Sequence, residues 1–192
     1  MPERFFPPIR RIPAPFMLPE VMSIEEVRQL LENITDLKYK TILSLIYSSG
    51  MRVSECAGLR PEDIDAKRML MRIRQGKGHA ARFAIFGKTA LSLLCRYKRI
   101  YRPAQWLFRG IRKDLPIHRR SIQKAFRKAV MKTGIRRYVR VHTLRHSFAT
   151  HLLEAKCPLP AIPAVLGAQT DREHAALHSP YATDFRGNYQ SA

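Results

Sequence analysis

Apolar residues recur at helical spacing over six stretches of the chain and at alternate positions over one. The first stretch sets Ile24, Val27, Leu30, Leu31 and Ile34 on one face, behind a Ser23 to Glu26 capping box. A second helix is expected over 37–49, with Ile42, Leu45 and Ile46 apolar and Gly50 placed to end it. A short third helix over 53–59 is closed off by Pro61. Helical spacing returns over 88–101, over 121–133 (Ile122, Phe126, Val130, stopped by Gly134) and over 143–155 (Leu144, Phe148, Leu152). Between Met69 and Phe86 the period drops to two. There Met69, Met71 and Ile73 alternate with Arg72 and Arg74, a Gln75-Gly76-Lys77-Gly78 turn intervenes, and Arg82 to Phe86 forms the return strand of a β-hairpin. The fold class expected is α+β, mainly α-helical, with a small antiparallel β-sheet.

Prolines divide the chain. Six of its thirteen fall in residues 1–20, among Arg4, Arg10 and Arg11, so this segment reads as a basic, proline-rich arm or linker. A single domain is expected over 21–156. Beyond it, residues 157–192 form a tail without clear period, interrupted by Pro158, Pro160 and Pro163. The 192 residues are enough to bury a real core. No apolar run approaches a membrane span, and the N-terminus lacks the apolar region of a signal peptide, so a cytoplasmic protein without membrane contact is expected. Cys56, Cys95 and Cys157 stand far apart and are expected to be buried free thiols. Trp106, beside Leu107 and Phe108, reads as core packing.

Charge narrows the function. Thirty-five Lys and Arg face 15 Asp and Glu, a net +20, and such self-repulsion in a compact fold points to a polyanionic partner. From Arg96 to Arg140 there are sixteen basic residues and one acid, Asp114. In the 121–133 helix, Lys124, Arg127, Lys128 and Lys132 lie opposite the apolar stripe, so one element can dock on the core and face a phosphate backbone. Arg119, Arg120, Lys124, Arg127 and Lys128 are the expected DNA-binding residues. Arg52 sits where one helix ends and another begins, Lys77 sits between two glycines, and His142 and Arg145 are spaced to share one face of a helix. His146, His151, His174 and His178 lack the carboxylate spacing of a zinc hydrolase, and no metal is expected.

In this order and at these intervals, GMRVSE, RQGKGHAAR and VHTLRHSFATHLLE resemble the catalytic domain of the tyrosine recombinases, the family of phage integrases, Xer recombinases and integron integrases. The resemblance spans about residues 18–154. It implies the catalytic-domain fold of that family and site-specific DNA recombination or integration, in which DNA is cut and rejoined through a 3′-phosphotyrosine without metal, ATP or other cofactor. It assigns Arg52 and Arg145 as the clamp on the scissile phosphate, Lys77 as the group protonating the departing 5′-oxygen, and His142 as the assistant in proton transfer. Paired guanidiniums suit this task because a five-coordinate phosphorane gathers charge on its non-bridging oxygens. Double-stranded DNA and other recombinase protomers are the partners implied.

Two departures qualify the match. The family carries an N-terminal helical domain that closes over the far side of the DNA, whereas here the proline-rich arm precedes Met22, and a half clamp is expected to bind weakly. The family also continues with Leu-Gly-His and, nine residues after that histidine, the nucleophilic tyrosine. This chain has Leu166-Gly167-Ala168, with Leu177 at the ninth place, which leaves Tyr181 as the weak candidate nucleophile. A change of reading frame at about Ala155 to Pro158 accounts for this: back-translated and read one base later, Val165 to Tyr181 can encode Leu-Gly-His with a tyrosine nine residues on. The expectation is a tyrosine recombinase catalytic domain, truncated and impaired. The alternative is a non-catalytic DNA-binding remnant, while an RNA-binding protein explains the charge but not the ordered Arg52, Lys77, His142 and Arg145.

Overall fold

The computed structural model describes residues 20–74, 81–112 and 114–158. Among these residues there are six helices and one small sheet: α1 (Ile24–Glu32), α2 (Leu37–Ser49), α3 (Val53–Ala57), a 3-10 turn (Pro61–Asp63), β1 (Ile64–Asp65), β2 (Leu70–Ile73), β3 (Arg82–Ile85), α4 (Lys88–Tyr101), α5 (Arg119–Thr133) and α6 (Val141–Glu154). The sheet is antiparallel in the order β1-β2-β3.

The core is organised around α2, which packs against α1, α3, α4, α5, α6 and β3. A helix so enclosed must be apolar nearly all round, and Ile42, Leu43, Leu45 and Ile46 are at most 1% exposed. Two of its buried hydroxyls are satisfied by the helix itself: Thr41 donates to the Leu37 carbonyl at 2.7 Å and Ser49 to the Leu45 carbonyl at 2.6 Å. Asp36 caps the N-terminus by accepting from the Lys38 amide at 2.8 Å. Gly50 ends the helix in the left-handed region, at φ 60°, where a residue with a Cβ is strained. The Ser23 capping box opens α1 as expected, Ser23 accepting from the Glu26 amide and Glu26 from the Ser23 amide.

Residue Met22, buried just before α1, donates its amide to the Ser147 hydroxyl on α6 at 2.8 Å. Ser147 in turn donates to the Thr143 carbonyl at 2.9 Å. On the other side of this junction Arg137, between α5 and α6, pairs with Glu20 and Glu26. The entry of the chain is thus fastened to the helix that carries His142 and Arg145.

Several expectations need correction. Trp106 is only half-buried: its indole donates to the Asp114 carbonyl and stacks under Arg60, while Leu107 and Phe108, fully buried, do the packing. Of the three thiols only Cys56 is buried; Cys95 is exposed on α4 and Cys157 half-buried. The third helix stops at Ala57, two residues early, because Gly58 follows and Pro61 opens a separate turn. The sheet has a third strand, too short to leave a period-two trace: Ile64 and Asp65 pair with Met71 and Leu70. α5 and α6 each begin two residues earlier than their apolar stripes, where His118 caps the Arg120 amide and Thr143 the Arg140 amide. No helix among the described residues is long and apolar enough to cross a membrane.

Candidate active site

The sharp turn at Gly50 throws the chain from α2 directly into α3, so that Arg52 becomes the extended residue ahead of the new helix, at φ −73° and ψ 151°. Met51 beside it is fully buried, while the Arg52 side chain keeps 53% of its surface exposed. One carboxylate holds this arginine twice. Glu55, one turn into α3, accepts from the Arg52 backbone amide at 2.6 Å and from Nη1 at 3.1 Å. The same Glu55 accepts from Nη2 of Arg82 at 3.0 Å, reaching across from β3.

Arg145 arrives from the other end of the chain. It stands on the second turn of α6, and its Nη1 donates to the Gly50 carbonyl. Gly50 therefore serves both the backbone turn and the docking of a second arginine. Burial first, and then the neighbouring charge of Arg52, pull the Arg145 pKa below the usual guanidinium value. Gly50 stands two residues before Arg52, so the contact of Arg145 with its carbonyl brings the two cations to one corner. Arg52 and Arg82 share the single carboxylate of Glu55 while Arg145 docks on Gly50, leaving an excess of positive charge that an anion would relieve.

His142 completes the cluster at the start of α6. Burial, then His146, Arg145 and Arg52 in that order, lower its pKa from the ordinary 6.5, so the ring is chiefly neutral at pH 7 and can pass a proton in either direction. Its ring centroid lies 4.5 Å from that of His146, edge to face. His151, two turns further, serves packing instead: it is buried and its Nδ1 lies 2.9 Å from the Tyr47 hydroxyl. Among the described residues no group of three or more His, Cys, Asp or Glu is arranged to hold a metal ion.

Lys77 and Tyr181 lie outside the described residues, as do Ala168 and Leu177. The strands flanking Lys77 are well defined. β2 and β3 pair from Leu70↔Ile85 to Ile73↔Arg82, with Met71, Ile73 and Ala84 turned to the core.

The basic face of α5 has the expected form. Ile122, Phe126 and Ala129 are buried, and Arg119, Arg120, Lys124, Arg127 and Lys128 are all exposed. A groove of about 430 Å³ runs along this helix, where Lys124, Lys128 and Lys132 face Asn33, Thr35 and Asp36. It shares no residue with the arginine cluster.

The profile of the phage integrase family matches residues 20–174. The chain belongs to the phage integrase family. Arg52, Lys77, His142 and Arg145 all fall within the matched span; Tyr181 and Tyr189 fall after it. XerC of Syntrophus aciditrophicus, a tyrosine recombinase, is 34% identical over 168 residues, covering 80% of this chain and 54% of that protein. The Sinorhizobium fredii protein y4qK is 39% identical over 168 residues, covering 86% and 54% respectively. The chain thus spans about half the length of the curated relatives it matches. Among solved structures, XerA recombinase superposes with a TM-score of 0.75 at 26% identity, covering 88% of this chain and 64% of that one. The fold is that of the tyrosine recombinase catalytic domains.

Two residues of the arginine cluster, Glu55 and Arg82, carried no assigned role in the sequence reading. The signal for Glu55 lay three residues after Arg52, at capping-box spacing. For Arg82 the only trace was a charge at an inward position of a strand.

Proposed function

We propose that this chain is the catalytic domain of a site-specific DNA recombinase. Its substrate is double-stranded DNA, and it works in the cytoplasm beside other recombinase protomers, as tyrosine recombinases do. Arg52 and Arg145 grip the non-bridging oxygens of the scissile phosphate with charge-assisted hydrogen bonds. Lys77, between β2 and β3 in sequence, protonates the departing 5′-oxygen, and His142 assists the proton transfers. A tyrosine hydroxyl attacks phosphorus, forms the 3′-phosphotyrosine and releases the 5′-hydroxyl; rejoining runs the same steps backwards. Arg119, Arg120, Lys124, Arg127 and Lys128 follow the DNA backbone. The observation that carries the reading is the meeting of Arg145 with Gly50, which gathers Arg52, Arg145 and His142 at one corner.

The nucleophile is the weak member. Tyr181 is the candidate, yet it stands outside the span matched to the family. A change of reading frame restores Leu-Gly-His and a tyrosine nine residues later. We place that change at about Ala155 to Pro158, where Pro158, Pro160 and Pro163 interrupt the helical pattern. The nucleotide sequence of the gene tests this: codons that do not yield a glycine-histidine pair one base later refute it.

A nicked suicide duplex, resolved on a denaturing gel, tests the function. The chain is expected to bind the duplex and form little covalent adduct, because a missing nucleophile abolishes the covalent step, whereas a missing charge donor costs only about 2.7–4 kcal/mol. A strong adduct abolished by Tyr181→Phe establishes Tyr181 as the nucleophile. An adduct unaffected by Arg52→Ala refutes the assignment of the clamp.

A further inference from the structure

Alternation along β3 places Arg82 inward and Phe83 outward, the reverse of what hydrophobicity favours. Arg82 is 8% exposed and Phe83 51%. Burying a guanidinium is costly unless a carboxylate meets it, and the carboxylate that meets this one is Glu55, 15% exposed and already holding Arg52 twice. On the facing strand the arrangement recurs. Arg74, the last described residue before position 75, donates Nε at 2.7 Å to Asp63, whose side chain is fully buried, and pairs with Glu62; Arg72 reaches Asp63 at 3.4 Å. Both strands that flank Lys77 in sequence are therefore pinned by arginines to carboxylates on the segment from α3 to the 3-10 turn. That segment begins at Arg52.

We propose that Arg82 is a positioning residue, acting through Glu55 to keep Arg52 aimed at phosphate and to tie the hairpin to the phosphate clamp. The inference rests on the recombinase reading above. Its physical content is a shared charge. With Arg82 in place, Glu55 Oε2 is divided between Arg82 and the Arg52 backbone, and Oε1 alone meets the Arg52 guanidinium. Without Arg82, the whole carboxylate is left to Arg52, which is then both neutralised and free to turn with Glu55. A charge spent on Glu55 is a charge withheld from DNA.

The test is a double-mutant cycle on duplex binding by the full chain, in which the quantity read is the affinity lost on Arg52→Ala in each background. In the unmodified chain that loss is expected to be about tenfold, the scale of a charged hydrogen bond. In an Arg82→Gln background it is expected to shrink below about threefold, and Arg82→Lys is expected to restore most of it, since lysine keeps the charge that occupies Glu55. A general loss of fold or of surface charge would lower affinity in every background without changing the ratio. Thermal melts of each variant accompany the titrations. If Arg82→Gln does not fold, Arg82→Met, which also removes the charge that occupies Glu55, replaces it and must collapse the ratio in the same way. A tenfold Arg52 loss that persists in the Arg82→Gln or Arg82→Met background overturns the positioning role and leaves the recombinase reading standing. A chain that binds no duplex, or that loses nothing on Arg52→Ala in its native background, overturns the recombinase reading and this inference with it.

Discussion

Replacing Ser147 by alanine removes one oxygen atom from the interior, and the structure sets the cost. Ser147 is fully buried, accepts from the Met22 amide at 2.8 Å and donates to the Thr143 carbonyl at 2.9 Å. The two bonds are not equivalent. The Thr143 carbonyl lies within α6 and keeps its helical bond, so its loss of the hydroxyl is minor. The Met22 amide precedes α1, has no helical partner and sits on a residue that is 0% exposed. Leaving such a donor unsatisfied costs about 1–3 kcal/mol. Alanine returns up to about 0.5 kcal/mol through its better helix propensity. The net expected loss is about 0.5–2.5 kcal/mol, or roughly 1–10 °C in Tm for a chain of this size. Urea denaturation followed by circular dichroism measures it, with Ser92→Ala, at an exposed position of α4, expected to stay within about 0.5 kcal/mol of the parent. A Ser147→Ala chain as stable as the parent would refute the claim that the Met22 amide depends on this hydroxyl.

Acidification should destabilise the fold before the carboxylates titrate. His142 and His151 both hold a proton less tightly in the folded chain than the ordinary 6.5, chiefly through burial. The unfolded chain therefore binds more protons below about pH 6.5, and stability falls as pH drops through that region; a urea midpoint that is higher at pH 5.5 than at pH 7.5 contradicts this. Gly50→Ala and Gly134→Ala both force a Cβ into the left-handed region, at φ 60° and 73°, and each is expected to cost about 1–2 kcal/mol. Only Gly50→Ala should also weaken duplex binding, because Gly50 carries Arg145 and turns the chain into Arg52; equal binding losses in filter titrations would count against the corner as the phosphate site. Lys124→Ala with Lys128→Ala should reduce the steepness of the salt dependence by about two counterions; an unchanged slope removes α5 from the interface.

Local signals were readable where a residue's job is done by its neighbours in sequence. Gly50 ends α2, Ser23 and Glu26 open α1, and both ends of α4 follow from spacing alone. The dual nature of α5 was equally plain, since its apolar and basic faces are written at one period. β1 escaped because two residues have no periodicity, and Trp106 because an indole flanked by two core residues has the composition of core. For the site, the residues came from motif resemblance and their convergence from the fold: 93 positions separate Arg52 from Arg145. Nothing local announces that Glu55 must serve Arg82, because the partner lies on a strand 27 positions away. Here the departure from pattern, an arginine turned inward, was the signal.

The two-faced character of α5 also determines which genetic lesions this chain tolerates. Each residue added to a helix rotates everything beyond it by about 100°. A single codon inserted near Ser121 would swing Lys124, Arg127 and Lys128 toward the packed interior and bring Ile122, Phe126 and Ala129 out into solvent, destroying folding and DNA contact in one event. A point substitution affects only one of the two: on the lysine face binding changes and folding stays, on the phenylalanine face the reverse. Among descendants of this gene, α5 should therefore keep its length, with substitutions gathered at exposed positions such as 119, 120, 123, 124, 127 and 128.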